Sequence, residues 1–261
     1  MLDLWQYRSL IWRLTWRDVE QRYRNSVFGV LWLVGQPLIQ LALYSFVFQV
    51  VLRSRWGIHG SGGPVPFALI LFVGLMLHVM LADMFMRAPA AVTSNVSYVK
   101  RVIFPVQILP VVFVGSSLLT LMLALTVLVV ATLLIVGHLP VSALLLFVPV
   151  LALLLMTLGL AWLMAGLGVY LRDLNQLAPH ISMILMFTAP VVYPSSMVPE
   201  RFHWLLFINP LTLPVVMARQ LLFQGVVDFS GLPTYLLVAC LVLVGGRWMF
   251  ERLRVGFADV L

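Results

Sequence analysis

The first long uncharged segment of the chain carries a row of polar side chains at helical spacing. Gln36, Gln40 and Tyr44 recur every four residues, and Trp32 and Phe48 extend the row at its two ends. Residues four apart lie on one face of a helix, and amide or phenol groups in hydrocarbon require hydrogen-bond partners. Two interpretations meet that requirement: hydrogen bonds to a neighbouring helix, which is the simpler one, or the wall of a polar channel.

Sequence motifs of enzymes and nucleotide-binding proteins do not occur in the chain. The five histidines are scattered, and neither H-E-x-x-H nor G-x-S-x-G is present. Lys100 is the only lysine and is followed by Arg101, so no G-x-x-x-x-G-K-[ST] phosphate loop can form. We therefore expect no catalytic residue, metal or cofactor in this chain. If ATP drives the protein, another polypeptide must bind ATP and Mg and hydrolyse the nucleotide.

Acidic residues are scarce within the apolar segments, which argues against a proton relay. Asp83 comes closest to such a position, and Arg87 follows it one helical turn later. The spacing favours an ion pair between the two side chains over an ion-binding site.

Two segments between apolar stretches carry compact polar signals. The first contains Thr93, Ser94, Asn95, Ser97, Tyr98, Lys100 and Arg101. In the second, Arg172 and Asp173 open a short helix, for which Asp173 and Gln176 have the spacing of a capping box. A solvated loop is the default interpretation of each segment.

The elements that must position these residues are membrane helices. Hydrophobic residues make up 62% of the 261 residues and charged residues 10%, whereas soluble domains carry about 45–50% and about 25%. About 20 apolar residues cross the hydrocarbon core as a helix. The uncharged stretches predict an all-α polytopic membrane protein with six transmembrane helices. We place them at about 27–50, 65–86, 106–136, 142–169, 177–194 and 233–250.

The segment at about 194–232 differs from the other apolar segments because prolines divide it. Its apolar pieces, such as 202–209 and 215–223, are too short to cross a bilayer. This pattern predicts re-entrant half-helices before the last span, which are stable at membrane depth where protein or water satisfies the backbone.

Residues 1–26 are predicted to form an amphipathic helix in the membrane interface, and residues 27–261 the transmembrane domain. At about 100° per residue, aromatic and charged side chains fall in separate sectors of the helix. The aromatic sector holds Trp5, Trp12, Trp16 and Tyr23, and the charged sector Arg13, Arg17, Glu20 and Arg24. A simple anchor and a docking surface for a partner are equally compatible with this pattern.

The net charge of +7 indicates membrane orientation rather than nucleic-acid binding, because the basic residues flank the apolar segments. With the N-terminus inside, twelve of the 16 basic residues lie on the cytoplasmic side and only Arg53, Arg55, Arg201 and Arg219 lie outside. Both termini are therefore predicted to be cytoplasmic.

The sequence resembles the membrane permease subunit of ATP-binding-cassette (ABC) exporters of lipid-linked polysaccharide, particularly the O-antigen exporters of Gram-negative bacteria. Six ordered pieces spread over nearly the full length carry the resemblance. They are Thr15, Arg17, Asp18, Arg22, Tyr23, Ser26, Gly29, Trp32 and Pro37; Lys100, Arg101, Phe104, Pro105 and Pro110; Arg172 and Asp173; Pro190 and Tyr193; Val198, Pro199, Glu200, Phe202, Trp204, Asn209 and Pro210; and Arg254, Phe257, Ala258 and Leu261.

The resemblance implies a homodimer of six-span subunits in the bacterial inner membrane, with two copies of a separate ATPase subunit. It implies export of undecaprenyl-linked O-antigen and assigns roles to the residues above. The substrate channel would hold Trp32, Gln36, Gln40, Tyr44 and Phe48. Coupling to the ATPase would involve Arg17, Asp18, Glu20, Ser97, Tyr98, Lys100, Arg101, Arg172 and Asp173. The outer gate would contain Tyr193, Pro194, Pro199, Trp204, Asn209 and Pro210.

Two alternatives remain open at this stage. The first is a permease of the same superfamily that moves capsule, teichoic acid or a drug. The second is a secondary transporter or membrane enzyme that works alone, against which the scarcity of intramembrane acids argues.

Overall fold

A computed structural model describes residues 2–24, 26–51, 59–60, 63–95 and 104–260. The α-helices in these ranges are α1 Leu2–Gln6, α2 Arg8–Tyr23, α3 Trp32–Ser45, α4 Phe67–Arg87, α5 Ile108–Val136, α6 Phe147–Tyr170, α7 Leu174–Thr188, α8 His203–Ile208, α9 Thr212–Arg219, α10 Leu232–Arg254 and α11 Phe257–Val260. Short 3-10 helices span Gly29–Leu31, Thr93–Asn95, Val141–Leu146, Ser195–Met197 and Glu200–Phe202, and π-helices span Phe46–Val51 and Gln220–Gln224. Strands β1 His59–Gly60 and β2 Gly63–Pro64 pair in an antiparallel hairpin, with His59 opposite Pro64.

Several of these helices are long and apolar enough to cross a membrane. Among the described residues, the segments that meet this criterion singly are Phe67–Arg87, Ile108–Val136, Val141–Tyr170 and Leu232–Arg254. The broken pair Glu200–Ile208 and Thr212–Gln224 meets it jointly and bends by 96° at the break. The predicted division of this apolar segment into two half-helices is therefore confirmed, while their re-entrant course remains a prediction.

The first and fifth predicted spans are shorter as α-helices than expected. α3 has 14 residues and α7 has 15, fewer than the roughly 20 that cross the hydrocarbon core. α3 starts at Trp32 and not at residue 27, because residues 29–31 form a 3-10 turn that begins at Gly29, whose φ is +49°. The count of six spans therefore remains a prediction.

Helices α6 and α10 approach each other through glycine. A Cβ atom on Gly246 would lie 2.1 Å from the carbonyl oxygen of Gly159, and one on Gly159 would lie 2.6 Å from backbone atoms of Val242. Gly168 lies similarly close to the backbone of Pro89. These glycines therefore permit close helix packing.

Helix α4 lies at the centre of the bundle and connects its two ends. Two thirds (67%) of its most apolar stretch is buried, against 17% of that of α10. Ile70, near the start of α4, accepts a hydrogen bond from Arg219, and Asp83, near its end, pairs with Arg22. At a rise of about 1.5 Å per residue, Ile70 and Asp83 lie roughly 20 Å apart along the helix axis.

Helix α2 packs on the bundle through a stripe that contains no tryptophan. Thr15 and Val19 are buried, and a Cβ atom on Gly115 of α5 would lie 3.0 Å from Thr15 Oγ1. Trp5, Trp12 and Trp16 are 71%, 58% and 45% exposed. A helix is thus present in the predicted segment, and its residence in the membrane interface remains a prediction.

Candidate functional site

Four charged side chains from α2 and α4 form what we call the ion-pair cluster: Asp18, Arg22, Asp83 and Arg87. Arg87 Nη1 donates to Asp18 Oδ2 at 2.7 Å, and Arg22 Nη2 donates to Asp83 Oδ2 at 2.7 Å. Arg87 Nη2 also lies 3.0 Å from Asp83 Oδ2, and Arg22 Nη2 lies 3.7 Å from Asp18 Oδ2. The negative charges of the two carboxylates therefore balance the positive charges of the two guanidinium groups.

Helix α5 completes the ion-pair cluster with hydroxyl and carbonyl groups. Ser116 Oγ accepts hydrogen bonds from Arg22 at 3.0 Å and from Arg87 at 2.8 Å. Ser117 Oγ donates a short hydrogen bond to Asp83. Arg87 Nη2 also donates to the Phe113 carbonyl at 3.0 Å. Because the four charged side chains are only 17–25% exposed, solvent screens them incompletely.

The predicted ion pair between Asp83 and Arg87 is confirmed. Sequence reasoning missed the contacts of that pair with Asp18 and Arg22, which share the same four-residue spacing on α2. A matching pair of charges on each of two helices was the one signal that could have indicated the cluster.

The predicted coupling residues occupy different environments. The Asp18 side chain pairs with Arg87 of α4, whereas Arg17 and Glu20 are exposed. Glu20 accepts the indole N–H of Trp16 at 2.6 Å. Ser97, Tyr98, Lys100 and Arg101 lie outside the described residues.

The capping box predicted at Asp173 is wrong. Asp173 immediately precedes α7, but its side chain makes no capping hydrogen bond, because its backbone is already helical with φ −66° and ψ −18°. A side-chain cap requires a non-helical backbone at this position. Its carbonyl instead accepts the Gln176 N–H at 3.0 Å. Arg172 and Asp173 are both exposed.

The polar row of α3 divides between two surroundings. Gln36 is exposed, Gln40 is half-buried, and Tyr44 is half-buried against the main hydrophobic core. Trp32 makes an edge contact with Phe28 at a ring-centre distance of 6.0 Å. The Phe48 side chain lies outside the described part of the structure. The assignment of this row to a channel remains a prediction.

A cavity of about 180 Å³ connects the polar row with the ion-pair cluster. Gln36 and Gln40 line it from α3, Arg22 from α2, Asp83 from α4 and Thr120 from α5. Sequence reasoning treated the row and the charges separately, because their proximity depends on how four helices pack.

The predicted gate residues lie in a segment held by specific hydrogen bonds. Asn209, buried between α8 and α9, donates to the Leu185 carbonyl at 2.8 Å and to Thr188 Oγ1 at 2.7 Å. Its Oδ1 accepts the Leu211 N–H at 2.9 Å. The Pro210 carbonyl accepts the Tyr235 hydroxyl at 2.8 Å.

The remaining gate residues lie nearer the surface. Tyr193 donates its hydroxyl to the Phe187 carbonyl at 2.7 Å. Pro194 and Pro199 each precede a single turn of 3-10 helix, and Trp204 is exposed. These positions form the surface of the segment, whereas Asn209 fixes it to α7.

Arg219, at the end of α9, forms what we call the arginine clamp with three backbone carbonyls. Its Nε donates to Ile70 at 3.0 Å, Nη1 to Pro190 at 2.6 Å and Nη2 to Val191 at 2.5 Å. The residue is 6% exposed and makes no ion pair with any described carboxylate. Sequence reasoning counted Arg219 only as a flanking charge and missed this role.

Metal-ligating side chains do not assemble in the described ranges, where no three His, Cys, Asp or Glu residues come together in a group that could hold an ion.

Comparison with known proteins identifies the family. The ABC-2 type transporter family matches residues 9–223. Two O-antigen export system permease proteins RfbA of Klebsiella pneumoniae are each 26% identical over 251 residues, which cover 95% of this chain and 93% of the relative. RfbA of Myxococcus xanthus is 28% identical over 262 residues, which cover 98% and 97%. The apolar helices agree with a multi-pass membrane protein, and the family match covers most of its length. This protein belongs to the ABC-2 type transporter family.

Proposed function

We propose that this protein is the membrane permease of an ABC transporter that exports O-antigen on an undecaprenyl carrier. The observation that carries the proposal is the similarity along at least 95% of the chain to O-antigen export permeases from two bacterial genera. ATP and Mg are bound by a separate subunit in this proposal. The lack of a phosphate loop around the only lysine, Lys100, supports that division of labour.

The assembled transporter is proposed to be a homodimer of six-span subunits with two ATPase subunits, in the bacterial inner membrane. α3 and the π-helix that continues it together run from Trp32 to Val51, which suits a first span. α7 supplies the fifth span. The distribution of basic residues supports cytoplasmic termini. In this orientation, the ion-pair cluster lies at the inner end of α4 and the arginine clamp at its outer end.

Coupling to the ATPase is proposed to use the exposed face of residues 1–26 and the two inner loops. Arg17, Glu20, Arg172 and Asp173 are exposed. A movement of α2 would be transmitted to α4 through Asp18, because this carboxylate accepts a hydrogen bond from Arg87. The proposed role of Asp18 is therefore to pass the movement of α2 on to α4, and not to contact the ATPase directly. The inner loop is proposed to contribute Ser97, Tyr98, Lys100 and Arg101.

The substrate path is proposed to follow the row Trp32, Gln36, Gln40, Tyr44 and Phe48. A hydrated glycan needs polar groups across the hydrocarbon, and aromatic faces suit the apolar faces of sugar rings. The exposure of Gln36 supports contact with a substrate. Tyr44 packs against the core, so its substitution should also lower stability.

The outer gate is proposed to be the segment at about 194–232 together with Tyr193 just before it. Its assigned residues are Tyr193, Pro194, Pro199, Trp204, Asn209 and Pro210. Its half-helices are held by contacts with α4, α7 and α10. Because these contacts reach three helices, the gate should open only when those helices move together.

Deletion of the gene tests the proposed function. O-antigen should disappear from the cell surface, and lipid-linked polymer should accumulate inside. A plasmid copy should restore export, and loss of the partner ATPase should reproduce the deletion. Unchanged surface O-antigen, with loss of capsule or another polymer instead, would contradict the assigned substrate. Export that continues without any ATPase would contradict the transporter class.

A further inference from the structure

The cavity between α2, α3, α4 and α5 contains polar groups without partners. Gln36, Gln40 and Tyr23 line it, and their side chains make no hydrogen bond with any other described residue. Gln36 is exposed, so the cavity is open at that residue. Two amides and a phenol therefore offer both donors and acceptors to a ligand.

The charges beside the cavity favour an uncharged ligand. Arg22 and Asp83 both line it, but they bind each other at 2.7 Å. The two other charges of the ion-pair cluster, Asp18 and Arg87, pair in the same way. An anion or a cation would have to break one of these pairs, whereas hydroxyl groups can bond to the amides and to the free lone pairs of the carboxylate.

Apolar side chains also line the cavity, among them Met76, Met80 and Leu121. A lining that combines apolar and hydrogen-bonding groups matches the two chemistries of a sugar ring, whose C–H face is apolar and whose rim carries hydroxyls. Pockets for drug-sized ligands typically measure about 300–1,000 Å³. A volume of about 180 Å³ therefore suits a single sugar unit.

We propose that this cavity binds one neutral sugar residue of the exported polymer. The inference rests on the proposed function and adds a defined binding site within each subunit, next to the ion-pair cluster.

A cysteine protection experiment tests the site. Thr120 lines the cavity, and Thr126 lies on the same helix but lines a different, apolar groove. Each hydroxyl donates to the carbonyl four residues earlier, to Ser116 at 3.1 Å and to Met122 at 2.9 Å. Thr120→Cys and Thr126→Cys are therefore matched variants. Both should be made with Cys240→Ser, because the natural cysteine is exposed.

The variants are expressed with a hydrolysis-deficient partner ATPase in two hosts, one that makes the lipid-linked polymer and one that cannot. A small membrane-permeant maleimide labels the thiols in isolated membranes. We expect the polymer to slow labelling of Thr120→Cys several-fold and to leave Thr126→Cys unchanged. Val79→Cys, on the α4 wall of the cavity and not among the groups proposed to bind the sugar, should show the same protection.

Equal labelling rates of Thr120→Cys and of Val79→Cys in the two hosts would overturn the proposal. Slowing of Thr126→Cys to the same degree would also overturn it, because the effect would not be confined to the cavity. Gene deletion separates this failure from failure of the proposed function. If deletion abolishes surface O-antigen while protection is absent, only the sugar site is wrong.

Discussion

The two ends of α4 hold arginine in opposite ways. At one end, the guanidinium groups of Arg22 and Arg87 bind carboxylates that come from α2 and α4 themselves. At the other end, Arg219 is buried and binds only backbone carbonyls. The first arrangement joins charges that keep some contact with solvent, and the second places a single charge among dipoles of fixed position.

This difference indicates how each end can respond to force. Charge attraction depends weakly on direction, so the ion-pair cluster can exchange partners as α2 shifts. Hydrogen bonds to carbonyls weaken steeply when their geometry is distorted, so the arginine clamp holds α9 in one position on α4. We infer an adaptable end beside the proposed ATPase contacts and a rigid end beside the proposed gate.

The largest expected effect is that of Arg219→Met. The variant removes three hydrogen bonds between a buried guanidinium group and backbone carbonyls, and we expect a loss of about 4 kcal/mol in unfolding free energy. Thermal unfolding in detergent measures it. The matched control is Arg201→Met. Arg201 is exposed, and its guanidinium lies 4.8 Å from the Phe202 ring centre. Its removal should lower the unfolding free energy by about 0.5 kcal/mol. Equal melting temperatures of the two variants would show that the clamp does not stabilise the fold.

A smaller loss is expected from Asn209→Ala, which removes the three hydrogen bonds between the helix break, α7 and Leu211. We expect about 2 kcal/mol, because the side chain is buried and the Leu211 N–H loses its acceptor. Asn175→Ala is the control, since Asn175 is exposed and makes one long hydrogen bond of 3.3 Å. A melting temperature for Asn209→Ala as high as that of the control would contradict the anchoring role.

Asp83→Asn should destabilise the protein by about 1–2 kcal/mol, because it removes the charge that pairs with Arg22 and Arg87 while the site keeps some solvent contact. Asp173→Asn, at an exposed aspartate without a capping bond, should change the unfolding free energy by less than about 0.5 kcal/mol. If Asp83→Asn melts no lower than Asp173→Asn, the ion-pair cluster contributes nothing to stability.

The smallest expected effect concerns salt. Added salt screens the partly exposed ion-pair cluster, so the stability difference between wild type and Asp83→Asn should shrink by about 0.5 kcal/mol. The difference between wild type and Arg219→Met should stay constant, because that site is buried and uses no ion pair. If added salt changed the stability difference of Arg219→Met from wild type as much as that of Asp83→Asn, the proposed contrast between the arginine clamp and the ion-pair cluster would be wrong.

The sequence predicted those features that depend on local pattern. Apolar length identified the helices Phe67–Arg87, Ile108–Val136, Val141–Tyr170 and Leu232–Arg254. Prolines located the break at Asn209 and Pro210, and four-residue spacing identified the pair of Asp83 with Arg87.

Features that depend on tertiary packing were not predicted. Asp18 meets Arg87 because α2 packs along α5 and so comes beside the end of α4, and no periodicity on one helix encodes that neighbour. Arg219 finds its carbonyl partners because α9 turns back after a 96° bend. The capping box failed for a local reason, since residue types at the right spacing do not fix the backbone angles of Asp173.

We propose that this chain forms the translocation path of an ATP-driven O-antigen exporter, and reconstitution of transport tests that role. The purified chain and its ATPase are placed in proteoliposomes with lipid-linked O-antigen, and an O-antigen antibody fragment added on one side reports where the polymer lies. We expect ATP-dependent transfer of polymer across the bilayer only when both subunits are present, and none from either subunit alone. Transfer by this chain without the ATPase, or the absence of transfer when both subunits, ATP and polymer are present, would contradict it.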